Sequence, residues 1–121
     1  MTQSSQRQLR VAELIKLALI DSIRKGKVSD VRLLNNEVTI TYVKISADLK
    51  IADCYFLPFG HNRLTEKEWL SAFESSKYGL RGLVTSKVAL KYSPELRFHY
   101  DHGFDNATNI EKLLKDHCEK S

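Results

Sequence analysis

Apolar residues recur every three or four positions through Val11, Leu14, Ile15, Ala18, Leu19 and Ile23, which predicts an amphipathic helix from Gln6 to about Lys25. Ser4 or Ser5 offers a cap at its start, and Gly26, following Arg24 and Lys25, ends it. Lys27 to Glu37 is polar and irregular and closes on the turn-forming pair Asn35-Asn36. The period then changes from helical to extended. Val38 to Ser46 is dense in β-branched residues and predicts a strand, Ala47-Asp48 is a short connection, and Leu49 to Phe59 predicts a second strand. So short a link makes the pair an antiparallel hairpin. On the second strand Ala52, Cys54 and Phe56 share one face, and Ile51, Tyr55 and Leu57 the other. Pro58, Gly60 and Asn62 terminate it.

Thr65-Glu66-Lys67-Glu68 is a capping box: the threonine hydroxyl accepts from the Glu68 N–H while the Glu68 carboxylate reaches back. Trp69, Ala72, Phe73, Ser76, Leu80, Leu83 and Val84 then fall on one helical face that should pack on the hairpin. Gly79 and Gly82 each weaken that helix by about 1 kcal/mol relative to alanine, and two so close predict a kink or a close backbone approach. Val88 to Asp101 reads as a third strand, with Leu96, Phe98 and Tyr100 on one face and Arg97, His99 and Asp101 on the other. Pro94 cannot donate to a ladder and should break pairing locally. Asn106 to His117 predicts a short final helix with Ile110, Leu113 and Leu114 on its apolar side. The order predicts an α+β domain, a three-stranded sheet with helices on one face and the opposite face partly open. Residues 1–6 are expected to form a flexible start, 7–117 a single domain, and 118–121 a short tail.

A length of 121 residues suits one domain with a modest core, and 42% apolar and 28% charged residues are ordinary for a globular chain. No apolar run approaches the roughly 20 residues needed to span a bilayer, and the polar stretch Met1 to Leu9 lacks the apolar core of a signal peptide. The cytoplasm is the expected compartment. A net charge of +4 and a pI near 9.1 suit a polyanionic partner, although many globular proteins of this size carry as much without one. Cys54 lies inside an apolar strand pattern and reads as a small buried hydrophobe, and Cys118 as an incidental thiol, since their spacing fits no metal motif.

No Gly-x-Ser-x-Gly elbow, phosphate loop or dinucleotide fingerprint is present, so neither turnover nor a nucleotide cofactor is expected. His99, Asp101, His102 and Asp105 come nearest to a metal set, but on a strand His99 and His102 point to opposite sides, and a solvated strand end is the plainer reading. The basic residues say more. Arg7 and Arg10 are neighbours on the first helix, and Lys77 and Arg81 flank the apolar stripe of the second, with Tyr78 farther toward its outer face. Lys87, Lys91 and Arg97 follow. A basic amphipathic helix interrupted near its middle and followed by a strand is the pattern of a nucleic-acid-binding KH-like module. Its cations would neutralise phosphates and Tyr78 would stack on a base. A solvated helix face carrying an exposed tyrosine fits the same pattern.

From about Arg7 to Leu114 the chain resembles the ribosome-binding factor A family, through several spaced motifs. Arg7-Gln8-Leu9-Arg10-Val11-Ala12 is similar to the family's opening Arg-x-x-Arg-Val, and Val43-Lys44-Ile45-Ser46-Ala47-Asp48-Leu49, continuing to Ala52 and Tyr55, to its hairpin. Leu80-Arg81, Leu90 and then Pro94-Glu95-Leu96-Arg97-Phe98-His99-Tyr100-Asp101 resemble its signature ending, and Ile110 to Leu114 its last helix. The resemblance implies a KH-like fold of the second topology, helix-strand-strand-helix-kink-helix-strand plus a C-terminal helix. It implies a non-enzymatic factor without cofactor, small-molecule substrate or membrane, taken to act as a monomer. Such a factor binds the free small ribosomal subunit and its rRNA, aids late maturation and 5′-end processing, and is linked to growth in the cold. The family's Ala-x-Gly kink aligns with Ser76-Lys77-Tyr78, so Gly79 is expected to supply the kink. Its Asp-Pro-Arg stands here as Asp30-Val31-Arg32, and loss of the proline is expected to loosen that loop. The charged C-terminal extension of many relatives is expected to be almost absent. Charge and spacing make Arg7, Arg10, Lys77, Arg81 and Lys87 the candidate phosphate contacts and Tyr78 the candidate stacker. The alternative is a KH-like protein-interaction module that docks a protein on its sheet without touching RNA.

Overall fold

A computed structural model describes residues 5–61 and 63–103, in which helix α1 spans Gln6–Arg24, α2 Val31–Leu34, strand β1 Glu37–Ile45, β2 Ile51–Phe59, helix α3 Glu66–Val88 and β3 Glu95–Tyr100. The expected final helix, the C-terminal tail, Cys118, Asp105, Asn62 and Ser4 lie outside the described residues. Both long helices begin with reciprocal caps. The Ser5 hydroxyl accepts from the Gln8 N–H at 3.1 Å while the Gln8 carboxamide accepts from the Ser5 N–H at 2.9 Å. Thr65 and Glu68 do the same for α3, so each helix start satisfies two donors that would otherwise be orphaned.

The sheet order is β1-β2-β3, with β1 antiparallel to β2 and β3 parallel to β2. A parallel return needs a crossover, and α3 is that crossover. Both long helices cover one face, α1 over β1 and α3 over β3, and they meet each other. Phe56 of the central strand anchors the core: its ring stacks on Phe73 at 4.4 Å and meets Tyr100 edge-on at 5.4 Å, while Phe73 also stacks on Phe98 at 4.7 Å. β1 contributes Val38 and Ile40 before a register shift between Ile40 and Tyr42, and Val43 and Ile45 after it. The extra residue of that bulge flips the parity, which keeps apolar side chains inward along the whole strand.

The expected interruption of the second long helix is not there. α3 runs unbroken for 23 residues, and Gly79 and Gly82 are exposed, with nothing within 4 Å of where a Cβ would sit. The glycines face solvent while Ser76, Leu80 and Val84 carry the buried stripe past them, and burying those side chains outweighs a propensity cost of about 1 kcal/mol per glycine. The same stripe takes the helix through Val88. The third strand therefore starts at Glu95 rather than Val88, after Ala89 has ended the helix in a left-handed conformation at φ 56°. Likewise Leu49 belongs to the hairpin turn, at φ 61°, and β2 begins at Ile51.

The segment after α1 is not loose. Asp30 caps the four-residue α2, accepts from the Arg32 guanidinium at 3.0 and 2.8 Å, and takes a 2.6 Å hydrogen bond from Ser75 of α3. The Asp30 N–H donates to the buried Ser76 hydroxyl at 3.1 Å. Where the family kink aligns, Ser76 thus fastens the α1–β1 connection to α3.

Candidate nucleic-acid interface

The six candidate residues are divided between α1 and α3. Arg7 and Arg10 are exposed on the first turns of α1, where their three-residue spacing makes them neighbours, and neither guanidinium has an ion pair or hydrogen bond among the described residues. Tyr78 is 74% exposed on α3, with the Lys77 ammonium 5.7 Å from its ring centroid. Lys77 also pairs with Glu74 at 2.7 Å, which raises its pKa and keeps it charged. Lys87, about 15 Å farther along the helix at the standard rise, reaches across to Asp21 of α1. Hydrogen bonds from Lys87 and Lys25 hold the Asp21 carboxyl at about 2. Lys77 and Tyr78 are brought together, as are Arg7 and Arg10, and no contact among the described residues joins the two pairs.

Arg81 makes contacts within the fold that its charge alone does not suggest. Its Nε donates to the Pro94 carbonyl at 2.9 Å and a terminal nitrogen donates to the Ser93 carbonyl at 2.8 Å. The Thr85 and Ser93 hydroxyls add a hydrogen bond between them at 2.7 Å. Together they tie the middle of α3 to the entry of β3.

Sequence reasoning did not anticipate a row of rings across the open face of the sheet. Tyr42, Tyr55 and His99 lie side by side on β1, β2 and β3, with centroids 5.7 and 5.0 Å apart. Lys44, Asp53 and Arg97 form the adjacent row; Asp53 meets His99 at 2.9 Å and Arg97 meets Glu95 at 2.7 Å. Alternation on β2 and β3 was readable, but which residues stand opposite one another depends on register.

The residues weighed for metal diverge. His99 faces Asp53 on the open face, His102 meets Glu66 at the start of α3, and Asp101 turns to Thr41. Among the described residues no group of three His, Cys, Asp or Glu side chains could hold a metal ion. Cys54 is buried as expected, and burial pushes its thiol up to about 12, which makes it inert.

The sequence profile described as ribosome-binding factor A matches residues 7–114. A ribosome-binding factor A of Rickettsia bellii is 50% identical over 115 residues, 95% of this chain and 93% of its own length. That of Rickettsia conorii is 51% identical over 112 residues, 93% of this chain and 92% of its own. The crystal structure of ribosome-binding factor A from Thermus thermophilus superposes with a TM-score of 0.63 at 22% identity, covering 77% of this chain and 94% of that one. A homology model of the Thermus thermophilus factor, fitted into a cryo-EM map of a 30S complex, gives a TM-score of 0.58 at 19% identity, covering 80% and 93%.

Proposed function

Because this chain belongs to the ribosome-binding factor A family, we propose that it binds the free small ribosomal subunit in the cytoplasm and aids late maturation and 5′-end processing of its rRNA. The observation that carries this reading is the family match across residues 7–114, seated on the KH-like α+β fold of the family's solved members. The Thermus thermophilus factor fitted into the 30S map adds weight. The chemistry is binding, not turnover. Arg7, Arg10, Lys77 and Lys87 supply cations to phosphates, and Tyr78 a ring to an unpaired base. Arg81 holds the α3–β3 connection that keeps this surface in shape.

Co-sedimentation of the purified protein with small subunits, large subunits and assembled ribosomes across a salt series tests the reading. Selective, salt-sensitive binding to the small subunit is expected. Equal binding to all three, or none, would overturn it. The row Tyr42–Tyr55–His99, exposed at Tyr42 and half-buried at the other two, favours a second reading, a protein docked on the sheet, which salt-insensitive binding to a protein partner would support.

A further inference from the structure

Three segments far apart in sequence wall a cleft of about 320 Å³ at the opposite end of the hairpin from Gly60: the start of α1 at Arg7, the β1–β2 turn from Ala47 to Lys50, and the α3–β3 connection from Leu90 to Tyr92. Arg7, Lys50 and Lys91 bring three exposed cations to it against one carboxylate, Asp48. That carboxylate is turned into its own turn, where it accepts from the Ser46 hydroxyl at 2.6 Å and the Lys50 N–H at 3.0 Å. Tyr92 is 71% exposed at the rim, with the Lys91 ammonium 5.5 Å from its centroid. Leu49 and Leu90 are half-buried beneath and pack against the core.

The walls are held by hydrogen bonds while the cations are exposed. Ser46 accepts from the N–H groups of both Lys50 and Ile51, and the Lys50 carbonyl accepts from the Glu95 N–H at 2.8 Å, which joins the turn to the start of β3. Among the described residues, both left-handed ones that are not glycine, Leu49 and Ala89, lie in or next to this cleft. The backbone is thus shaped in advance, and only long side chains need to be ordered by a ligand.

We propose that this cleft is a binding site for an unpaired nucleotide of single-stranded RNA, with Arg7, Lys50 and Lys91 on its phosphates and its base against Tyr92. The chemistry is specific to that ligand class. Three cations around one inward-turned carboxylate select a polyanion, and an exposed ring above an aliphatic floor selects a flat base over a bare phosphate. The inference rests on the RNA-binding reading above and adds a place and a ligand to it, at positions other than Lys77, Tyr78 and Lys87.

The test is fluorescence anisotropy of a labelled, unstructured ten-nucleotide RNA over a salt series, with the wild type, a Lys50→Ala/Lys91→Ala double variant, Tyr92→Ala and Tyr92→Phe. These side chains are exposed, so the variants should fold, which circular dichroism checks. The double variant is expected to bind at least tenfold more weakly and to lower the slope of log K against log salt by about 0.7 per cation removed. Tyr92→Ala is expected to lose roughly tenfold, and Tyr92→Phe to restore it, because stacking needs the ring and not the hydroxyl. Wild-type affinity and slope in the double variant would overturn the proposal. So would no binding of the oligonucleotide by the wild type, or a poly-glutamate peptide competing as well as RNA and indifferent to Tyr92. If the wild type still sediments with small subunits in those cases, the cleft assignment alone fails and the assembly-factor reading stands.

Discussion

The Thr41 hydroxyl donates to the Asp101 carboxylate at 2.5 Å, joining the bulge of β1 to the residue that follows β3 across the intervening strand. The Asp101 N–H donates in turn to the Phe56 carbonyl at 2.7 Å, so all three strands are fastened at one level. Asp101 is only 8% exposed. Thr41→Val keeps the shape and removes the donor, which leaves a largely buried carboxylate with one hydrogen bond fewer. Urea unfolding should show a loss of about 1–3 kcal/mol. A change within a few tenths would mean that water or another donor replaces the hydroxyl.

Arg81→Ala should act on stability before it acts on binding. The Ser93 and Pro94 carbonyls would lose charge-assisted donors, a cost of about 1.5–3 kcal/mol for each hydrogen bond at most. Arg81→Lys should recover only part, because an ammonium lacks the fork that serves both carbonyls. Thermal melts of the two variants check this. The slope of subunit affinity against salt should stay at its wild-type value in both. A flattened slope with an unchanged melting temperature would return Arg81 to the phosphate contacts.

Periodicity carried most of the fold. The stripe from Trp69 to Val84 and the alternation from Ala52 to Phe56 were legible because burial repeats with the backbone period. The bulge left a trace too, since the inward apolar positions change from even at Val38 and Ile40 to odd at Val43 and Ile45. α2 has four residues, too few for a period to show. The task of Arg81 was hidden because its partners, twelve and thirteen residues on, are backbone carbonyls, which leave no mark in sequence. The cleft at Arg7 was hidden for a related reason: Lys50 and Lys91 are ordinary surface lysines until the hairpin turn and the α3–β3 connection are set beside α1.

Asp30 links pH to stability. Hydrogen bonds from Arg32, then from Ser75, hold its carboxyl well below the ordinary aspartate range. A depressed folded-state pKa stabilises the fold above the unfolded-state value near 3.9 and loses that contribution as pH falls toward the folded-state value. Asp30→Asn keeps the capping oxygen but loses the charge, so it should cost about 1 kcal/mol at pH 7. The gap between variant and wild type should narrow below about pH 4. Denaturation midpoints at pH 7, 5 and 3 measure it, and a gap constant across that range would show that the charge is not what Asp30 contributes.

The unbroken α3 makes opposite predictions for glycines that look alike in sequence. Gly79 and Gly82 have helical backbones and open space at the Cβ position, so Gly79→Ala and Gly82→Ala should each stabilise by about 0.5–1 kcal/mol. Gly60 has φ +70°, and a Cβ there would run into the Glu37 side chain, so Gly60→Ala should destabilise by more than that. The pair of helix variants also separates fold from function. If the binding state keeps α3 straight, the variants should be more thermostable and sediment with small subunits as the wild type does. If binding requires α3 to bend at Gly79, Gly79→Ala should raise the melting temperature and weaken sedimentation together, because alanine stiffens the one place where the helix would yield.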